Sequence, residues 1–202
     1  MGSTLEQTGT TRVIVEMLIY RLAATSVLDA PCGSAFWWVP LLRSVRENVP
    51  CLRYHGVDVA PLAIERAAAL HAGDALTSFA VGDVSRAPLP VGADLALCRD
   101  ALQHLPMEEA VRLLRNLAAA RPRHALLASY SGERANRRID VGDYYPINLQ
   151  APPFSLPPPL ADFDERTPVA GQASKHLLLY SGAQLAEVDW DQVLADVSRL
   201  RA

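Results

Sequence analysis

The chain has 202 residues, a formal net charge of −3 and 50% hydrophobic residues. That length suits one domain with a substantial core, so we predict a single domain over residues 1–202. The charge shows no clustered excess of Lys and Arg, which argues against nucleic-acid binding. No apolar run approaches the ~18 residues of a transmembrane helix, and no basic region precedes an apolar core at the N-terminus. We therefore expect a cytoplasmic protein without a membrane partner.

The three cysteines, Cys32, Cys51 and Cys98, are an odd number and are far apart in the sequence. All three lie in or beside apolar, strand-like runs. This pattern argues against a disulfide framework or a zinc site. We predict no metal site.

The first third of the chain alternates between helix and strand patterns. Apolar side chains at helical spacing predict a helix over residues 9–23, within an N-terminal helical segment 1–24. The apolar strand Ser26–Asp29 then runs into a turn of small residues, 30–35. The next apolar stripe has helical spacing and predicts a helix that faces the core; it consists of Phe36, Trp37, Trp38, Leu41, Leu42 and Val45.

Two acids are predicted to end neighbouring strands. Cys51–Val57 is a second apolar strand that ends at Asp58, and a helix over Leu62–His71 follows. One strand, one crossover helix and one more strand thus separate Asp29 from Asp58, as in a βαβ unit. An acid at the end of the second strand can bind both hydroxyls of a ribose. The alternative is that Asp58 caps the following helix.

The middle of the chain continues the alternation. Phe79–Val84 predicts a third strand that ends at Asp83, a carboxylate able to accept a hydrogen bond from an adenine amino group. Ala93–Cys98 predicts a fourth strand, buried on both faces. After a helix that starts at Pro106, a fifth strand begins at His124–Ala128. Strands alternating with helices predict a doubly wound, mostly parallel α/β sheet.

The alternation breaks over residues 131–174, which we expect to be a substrate-side loop. Within it, the proline-rich stretch 143–159 is predicted to be an ordered wall or lid over a substrate, with an exposed linker as the alternative. Leu160–Asp164 and His176–Tyr180 are predicted to pair as a terminal hairpin. A final helix is predicted over Trp190–Leu200.

Four blocks in order resemble the class I S-adenosylmethionine-dependent methyltransferases: 29–33 (DAPCG), 56–58 (GVD), 82–83 (GD) and 97–105 (LCRDALQHL). With residues 147–154 and 175–180, they are similar to a small, largely uncharacterised subfamily over roughly residues 3–182. The resemblance implies a Rossmann-like sheet of seven strands in the order 3-2-1-4-5-7-6, with the last strand antiparallel. The chain departs from the family where Ala35 replaces a Gly, and where the bulky Trp37 and Trp38 are expected to narrow the pocket.

The resemblance also implies S-adenosylmethionine as the cofactor. Asp29 and its turn would contact the methionine part, Asp58 the ribose and Asp83 the adenine, while Arg99 would close the site. Two alternatives remain: Cys32 is only a small turn residue, and Arg99 only pairs with Asp100. The full set predicted to bind the cofactor is Asp29, Pro31, Cys32, Gly33, Asp58, Val59, Asp83, Val84 and Arg99.

Methyl transfer is an in-line displacement at an activated carbon, so the protein mainly holds the methyl group and the acceptor together. His104 follows the fourth strand and is the predicted general base, with a structural role as the alternative. Tyr144, Tyr145 and Asn148 are predicted to contact the acceptor, with turn and packing roles as the alternative. The predicted acceptor is a small molecule or a protein.

Two other functions fit a similar sheet. An NAD-dependent oxidoreductase is disfavoured, because the turn after the first strand lacks the three glycines of a dinucleotide site and Lys175 is the only lysine. The second alternative is a catalytically silent methyltransferase-like domain that binds a partner through the proline-rich stretch.

Overall fold

The structure is a computed structural model that describes residues 4–132, 135–140, 142–165 and 174–200. The strands are β1 Ser26–Asp29, β2 Arg53–Asp58, β3 Thr77–Val81, β4 Leu95–Cys98, β5 His124–Tyr130, β6 Ala161–Asp164 and β7 Lys175–Ser181. The helices are α1 Gly9–Arg21, α2 Trp38–Arg46, α3 Pro61–Leu70, α4 Met107–Ala119, α5 Gly182–Ala186 and α6 Trp190–Arg199, and a 3₁₀ turn spans Leu102–His104.

All seven strands form one sheet in the order β3-β2-β1-β4-β5-β7-β6. The pairs from β3 through β5 are parallel, and β7 runs antiparallel to both β5 and β6. The predicted Rossmann-like order with an antiparallel last strand is therefore confirmed. The predicted terminal hairpin is the β6–β7 pair.

A separate hydrophobic core covers each face of the sheet. Successive side chains of a strand point to opposite faces, so each strand contributes to both cores. In β4, Leu95 and Leu97 pack toward α1 and α2, whereas Ala96 and Cys98 pack toward α4 and α6. All four side chains are buried. The continuous apolar run of β4 is thus explained by its place in the middle of a sheet with two covered faces.

Several element ends differ by one or two residues from the sequence predictions, and two larger differences have a physical reason. The third strand is Thr77–Val81 rather than Phe79–Val84, because the Asp83 carboxylate accepts the backbone N–H of Ser85 and turns the chain away from the sheet. Phe36 was expected in the core but is 43% exposed, because α2 begins only at Trp38 and Phe36 lies in the preceding turn.

Most of the proline-rich stretch is packed against the sheet. Five of its buried side chains belong to the same core as α4 and α6; they are Tyr145, Ile147, Leu149, Phe154 and Leu156. The Asn136 amide ties the stretch together, since it donates to the carbonyls of Asn148 and Pro152 at 2.8 and 2.9 Å. The predicted segments 1–24 and 131–174 extend over residues 1–3, 133–134, 141 and 166–173, which lie outside the described residues. No helix within the described ranges is long and apolar enough to cross a membrane.

Candidate functional site

A small cleft opens at the carboxyl ends of β1, β2 and β4. Its cavity of about 130 Å³ brings together six of the residues predicted to bind a cofactor, and two others that were not predicted to do so. The lining residues are Asp29, Pro31, Cys32, Gly33, Asp58 and Arg99, with Trp37 and Asp100. Ligands of open α/β sheets bind at this edge.

The turn after β1 is held against β2 by its backbone. The N–H of Cys32 donates to the Val57 carbonyl at 3.0 Å. A Cβ on Gly56 would lie 2.8 Å from the Cys32 sulfur, so only glycine lets the turn approach β2 this closely. Gly33 and Ala35 both have positive φ, +55° and +49°. Ala35, which replaces a family glycine, therefore occupies backbone geometry that favours glycine.

Asp29 lies at the base of the cleft with its carboxylate almost fully buried. Its Oδ2 accepts the indole N–H of Trp38 at 2.7 Å and the hydroxyl of Tyr54 at 2.8 Å. Burial raises the pKa of Asp29 to about 7, against the lowering effects of these two hydrogen bonds and of Arg99. A bound cationic group would favour the ionised form of this carboxyl.

Asp58 connects the two strand ends. Its Oδ2 accepts the N–H of Gly33 at 2.8 Å, and its Oδ1 accepts the N–H of Ala60 at 2.9 Å. The N-cap of α3 is Ala60, without a side-chain cap, so Asp58 is not the helix cap of the alternative interpretation. The carboxylate instead fixes the first turn relative to the second strand.

Arg99 forms one wall of the cleft and is buried. It pairs with Asp100, Nη1 to Oδ2 at 2.7 Å, as the structural alternative expected. It also pairs with Glu165, Nε to Oε1 at 2.5 Å. Sequence reasoning did not identify Glu165, because no local motif marks a residue 66 positions downstream as a partner.

The three remaining predicted cofactor residues lie outside the cavity. Val59 directly follows Asp58 and is 60% exposed, and Val84 is buried. Asp83 binds Ser85 and Arg86 through both carboxylate oxygens, which lowers its pKa. The Asp83 carboxylate therefore stabilises a local turn that follows β3.

The predicted catalytic and acceptor residues differ in exposure, and Asn148 is only partly buried. His104 is exposed, with Nδ1 3.3 Å from the Asp143 carbonyl oxygen. The rings of His104 and Tyr144 are 5.6 Å apart, and Tyr144 is half-exposed. Tyr145, in contrast, is fully buried in the core, and the Asn148 side chain accepts the N–H of Gln150. His104 and Tyr144 thus lie side by side on an accessible surface.

A second cavity, of about 320 Å³, lies over the first halves of β1, β2 and β3. Ser26, His55, Ser78 and the loop 90–93 line it. None of the predicted site residues contributes to it. It is therefore separate from the carboxyl-edge cleft.

The fold and the cleft together define a class of protein. A parallel sheet with two acids at adjacent carboxyl strand ends, joined by a turn of small residues, is typical of α/β domains that bind a nucleoside-containing cofactor. The turn does not have the glycine spacing of a dinucleotide fingerprint.

A sequence comparison finds a family model that matches the central part of the chain. Residues 27–121 match a family model described as a methyltransferase domain. A search of curated protein sequences gave no significant match. The matched region runs from β1 to the end of α4 and includes every residue of the cleft. The matched part of the chain is thus similar to a methyltransferase domain, and the order of the seven strands is that of the Rossmann-like methyltransferase fold.

Solved structures share the fold at low sequence identity. The S-adenosylmethionine-dependent methyltransferase SibL is 18% identical with a TM-score of 0.61, over 86% of this chain and 55% of SibL. Magnesium protoporphyrin IX methyltransferase from Synechocystis PCC 6803, with bound S-adenosylmethionine, is 16% identical with a TM-score of 0.57, over 86% of this chain and 81% of that one. A TehB-like methyltransferase from Corynebacterium glutamicum is 18% identical with a TM-score of 0.57, over 82% and 85%. The chain spans about half the length of SibL and of the mitomycin 7-O-methyltransferase MmcR.

Proposed function

We propose that this chain transfers the methyl group of S-adenosylmethionine to a small-molecule or protein acceptor, with the cofactor bound at the carboxyl-edge cleft. The observation that carries the proposal is the contact between Asp58 and Gly33, which joins the acid at the end of β2 to the turn after β1. This contact places two carboxylates around one turn of small residues. The family match supports the same cofactor.

The residues of the cleft fit the charges of that cofactor. S-adenosylmethionine carries an ammonium and a sulfonium, and when bound it supplies an activated methyl group. Asp29 and Asp58 offer anionic oxygens to cationic and hydroxyl groups, which are favourable partners for buried carboxylates. At about 130 Å³ the cavity is below the usual ligand range of ~300–1,000 Å³, so we assign it to the amino-acid part and the cleft mouth beside Val59 to the nucleoside.

His104 is the proposed general base. If its Nδ1–H donates to the Asp143 carbonyl, Nε2 is the acceptor nitrogen, as a base requires. Tyr144 lies beside it and offers an aromatic face to an acceptor. Tyr145 and Asn148, which were also predicted to contact the acceptor, have packing and turn contacts that support the structural alternative.

Observations in the structure weigh against both rival functions. The Lys175 ammonium pairs with Asp100 and Glu165 at 2.7 and 2.8 Å, which disfavours it as the proton-transfer lysine of an oxidoreductase. The proline-rich stretch buries Phe154 and Leu156 in the core, which disfavours a free partner-binding arm. Methyl transfer is therefore the function that we test.

Calorimetry with S-adenosylhomocysteine and with NAD tests the proposal. We expect S-adenosylhomocysteine to bind and NAD not to bind. Asp58→Ala should weaken binding by about tenfold or more, because it removes charge-assisted hydrogen bonds worth roughly 1.5–3 kcal/mol each. Asp191→Ala, which removes an exposed aspartate of α6, is the matched control and should bind like wild type.

Binding of NAD without binding of S-adenosylhomocysteine would contradict the assignment. An unchanged dissociation constant for a folded Asp58→Ala protein would remove Asp58 from the site and leave it with a role in the turn alone. Circular dichroism of each variant establishes that it is folded.

A further inference from the structure

Four charged side chains form a closed, largely buried ring beside the cleft, which we call the ion ring: Arg99, Asp100, Glu165 and Lys175. Arg99 pairs with Glu165 at 2.5 Å and with Asp100 at 2.7 Å. Lys175 pairs with the same two carboxylates, at 2.7 Å to Asp100 and 2.8 Å to Glu165. Each acid therefore bridges both cations. Glu165 also accepts the hydroxyl hydrogen of Thr11 from α1.

The ion ring joins distant parts of the chain. Arg99 and Asp100 follow β4 directly and line the cleft. Glu165 follows β6 and Lys175 begins β7, so both belong to the terminal hairpin and neither lines the cavity. Among the described residues, the hairpin is thus connected to the cleft through the two residues that follow β4.

Stability alone is a poor explanation for such an arrangement. Ions lose hydration when they are buried, and replacing a buried ion pair with apolar side chains of similar size is often neutral or stabilising. What a ring of this kind does provide is orientation. Two carboxylates on different nitrogens fix both the position and the plane of the Arg99 guanidinium.

The position of Arg99 affects the cleft in two ways. Its side chain forms part of the wall beside Asp29 and Asp58. Its positive charge also opposes the effect of burial on the Asp29 carboxyl and thereby favours the ionised form. A displaced Arg99 would change both the shape and the charge of the amino-acid end of the cavity.

We propose that Glu165 and Lys175 are positioning residues for cofactor binding, which hold Arg99 and Asp100 in place at the amino-acid end of the cleft. This inference depends on the proposed function, because it concerns the same ligand. It makes a more specific prediction, namely that the ion ring affects recognition of the amino-acid part of the cofactor and not of its nucleoside part.

The test uses two probes and a charge-neutral double variant. S-adenosylhomocysteine carries the amino-acid part, and 5′-methylthioadenosine lacks it. Glu165→Met with Lys175→Met removes one anion and one cation and leaves the Arg99–Asp100 pair intact. We expect about tenfold weaker binding of S-adenosylhomocysteine, an unchanged dissociation constant for 5′-methylthioadenosine, and a melting temperature equal to or above that of wild type.

The matched control is Arg115→Met with Asp191→Met, which removes a surface ion pair of 2.9 Å. It should bind both probes like wild type. If the first double variant does not fold, Glu165→Gln decides the question, because it keeps the size of the side chain and removes its charge. Glu165→Gln should show the same selective loss for S-adenosylhomocysteine.

Equal weakening of both probes, or no change with either, would overturn the positioning role while the proposed function stands. If the wild-type protein binds neither probe, the proposed function fails first and the inference fails with it. The two failures are therefore distinguishable.

Discussion

Asp29 combines two roles that pull its charge in opposite directions. Burial of the carboxyl favours its neutral form more strongly than the hydrogen bonds from Trp38 and Tyr54 favour its ionised form, whereas a cationic ligand would require the ionised form. Burial raises its pKa to about 7, compared with about 4 in an unfolded chain. The folded protein therefore holds a proton at Asp29 that the unfolded chain has already released near neutral pH.

This difference predicts how stability changes with pH. A raised pKa in the folded state contributes stability that is fully present below about pH 4 and is lost as the pH rises to about 7. Asp29→Asn cannot ionise and keeps an oxygen acceptor for Trp38 and Tyr54. Its stability relative to wild type should therefore increase by roughly 1–4 kcal/mol between pH 4 and pH 8, as measured by urea unfolding.

Wild type and Asp29→Asn share the other charged and titratable groups around residue 29, so the effects of these groups on the unfolding free energy largely cancel. These groups are Cys32, Tyr54, Asp58, Cys98 and Arg99. Asp191→Asn, on the exposed side of α6, is the control for the loss of one carboxylate. Parallel pH curves for wild type and Asp29→Asn would contradict a protonated, buried Asp29.

At the scale of elements, the proline-rich stretch is part of the core rather than a loose connection. Tyr145 is 1% exposed, and among the described residues its buried hydroxyl has no hydrogen-bond partner. Its backbone N–H donates to the Gln103 carbonyl at 3.1 Å, which ties the stretch to the 3₁₀ turn that carries His104. Packing at Tyr145 therefore supports the position of the proposed base.

Two substitutions separate the ring of Tyr145 from its hydroxyl. Tyr145→Phe should leave the melting temperature unchanged or raise it, because it removes a buried hydroxyl without a partner. Tyr145→Ala should cost roughly 3–5 kcal/mol of unfolding free energy, as expected when a large core ring is deleted. A clear loss of stability in Tyr145→Phe would show that the hydroxyl makes a bond that matters to the fold.

Several elements could be predicted from local patterns. The apolar run at β4 predicts a buried strand and the stripe of α2 predicts a buried helix, because these patterns reflect burial directly. The end of β3 could not be predicted in this way, since the turn formed by Asp83 and Ser85 competes with the strand. Phe36 was predicted to lie in the core because it belongs to the same apolar stripe as Trp38. Helical spacing predicts which side chains are buried only within the helix, and α2 begins two residues after Phe36.

Part of the candidate site could be predicted by the same reasoning. Asp29, Gly33 and Asp58 lie at strand ends whose positions follow from the alternation of strands and helices, so their convergence was predictable. The contribution of Glu165 and Lys175 could not be predicted, because the residues with which they pair are far away in the sequence. Long-range ion pairs of this kind follow from the tertiary structure alone.

At the scale of the whole molecule, the order of the strands brings the cleft and the ion ring to the same edge of the sheet. With β1 between β2 and β4, the ends of these three strands converge on one cleft. The antiparallel β7 lies beside β5 and starts at this same edge, which is how Lys175 reaches Asp100 from the far end of the chain. A single sheet thus connects the turn after β1 to the terminal hairpin.

The central claim is that the carboxyl-edge cleft binds S-adenosylmethionine, and a crystal structure of the protein with S-adenosylhomocysteine tests it most directly. We predict that the ribose hydroxyls lie within hydrogen-bond distance of the Asp58 carboxylate and that the amino-acid part enters the cavity between Asp29 and Arg99. Density for the ligand in the cavity over the first halves of β1, β2 and β3, with the carboxyl-edge cleft occupied only by solvent, would contradict the account.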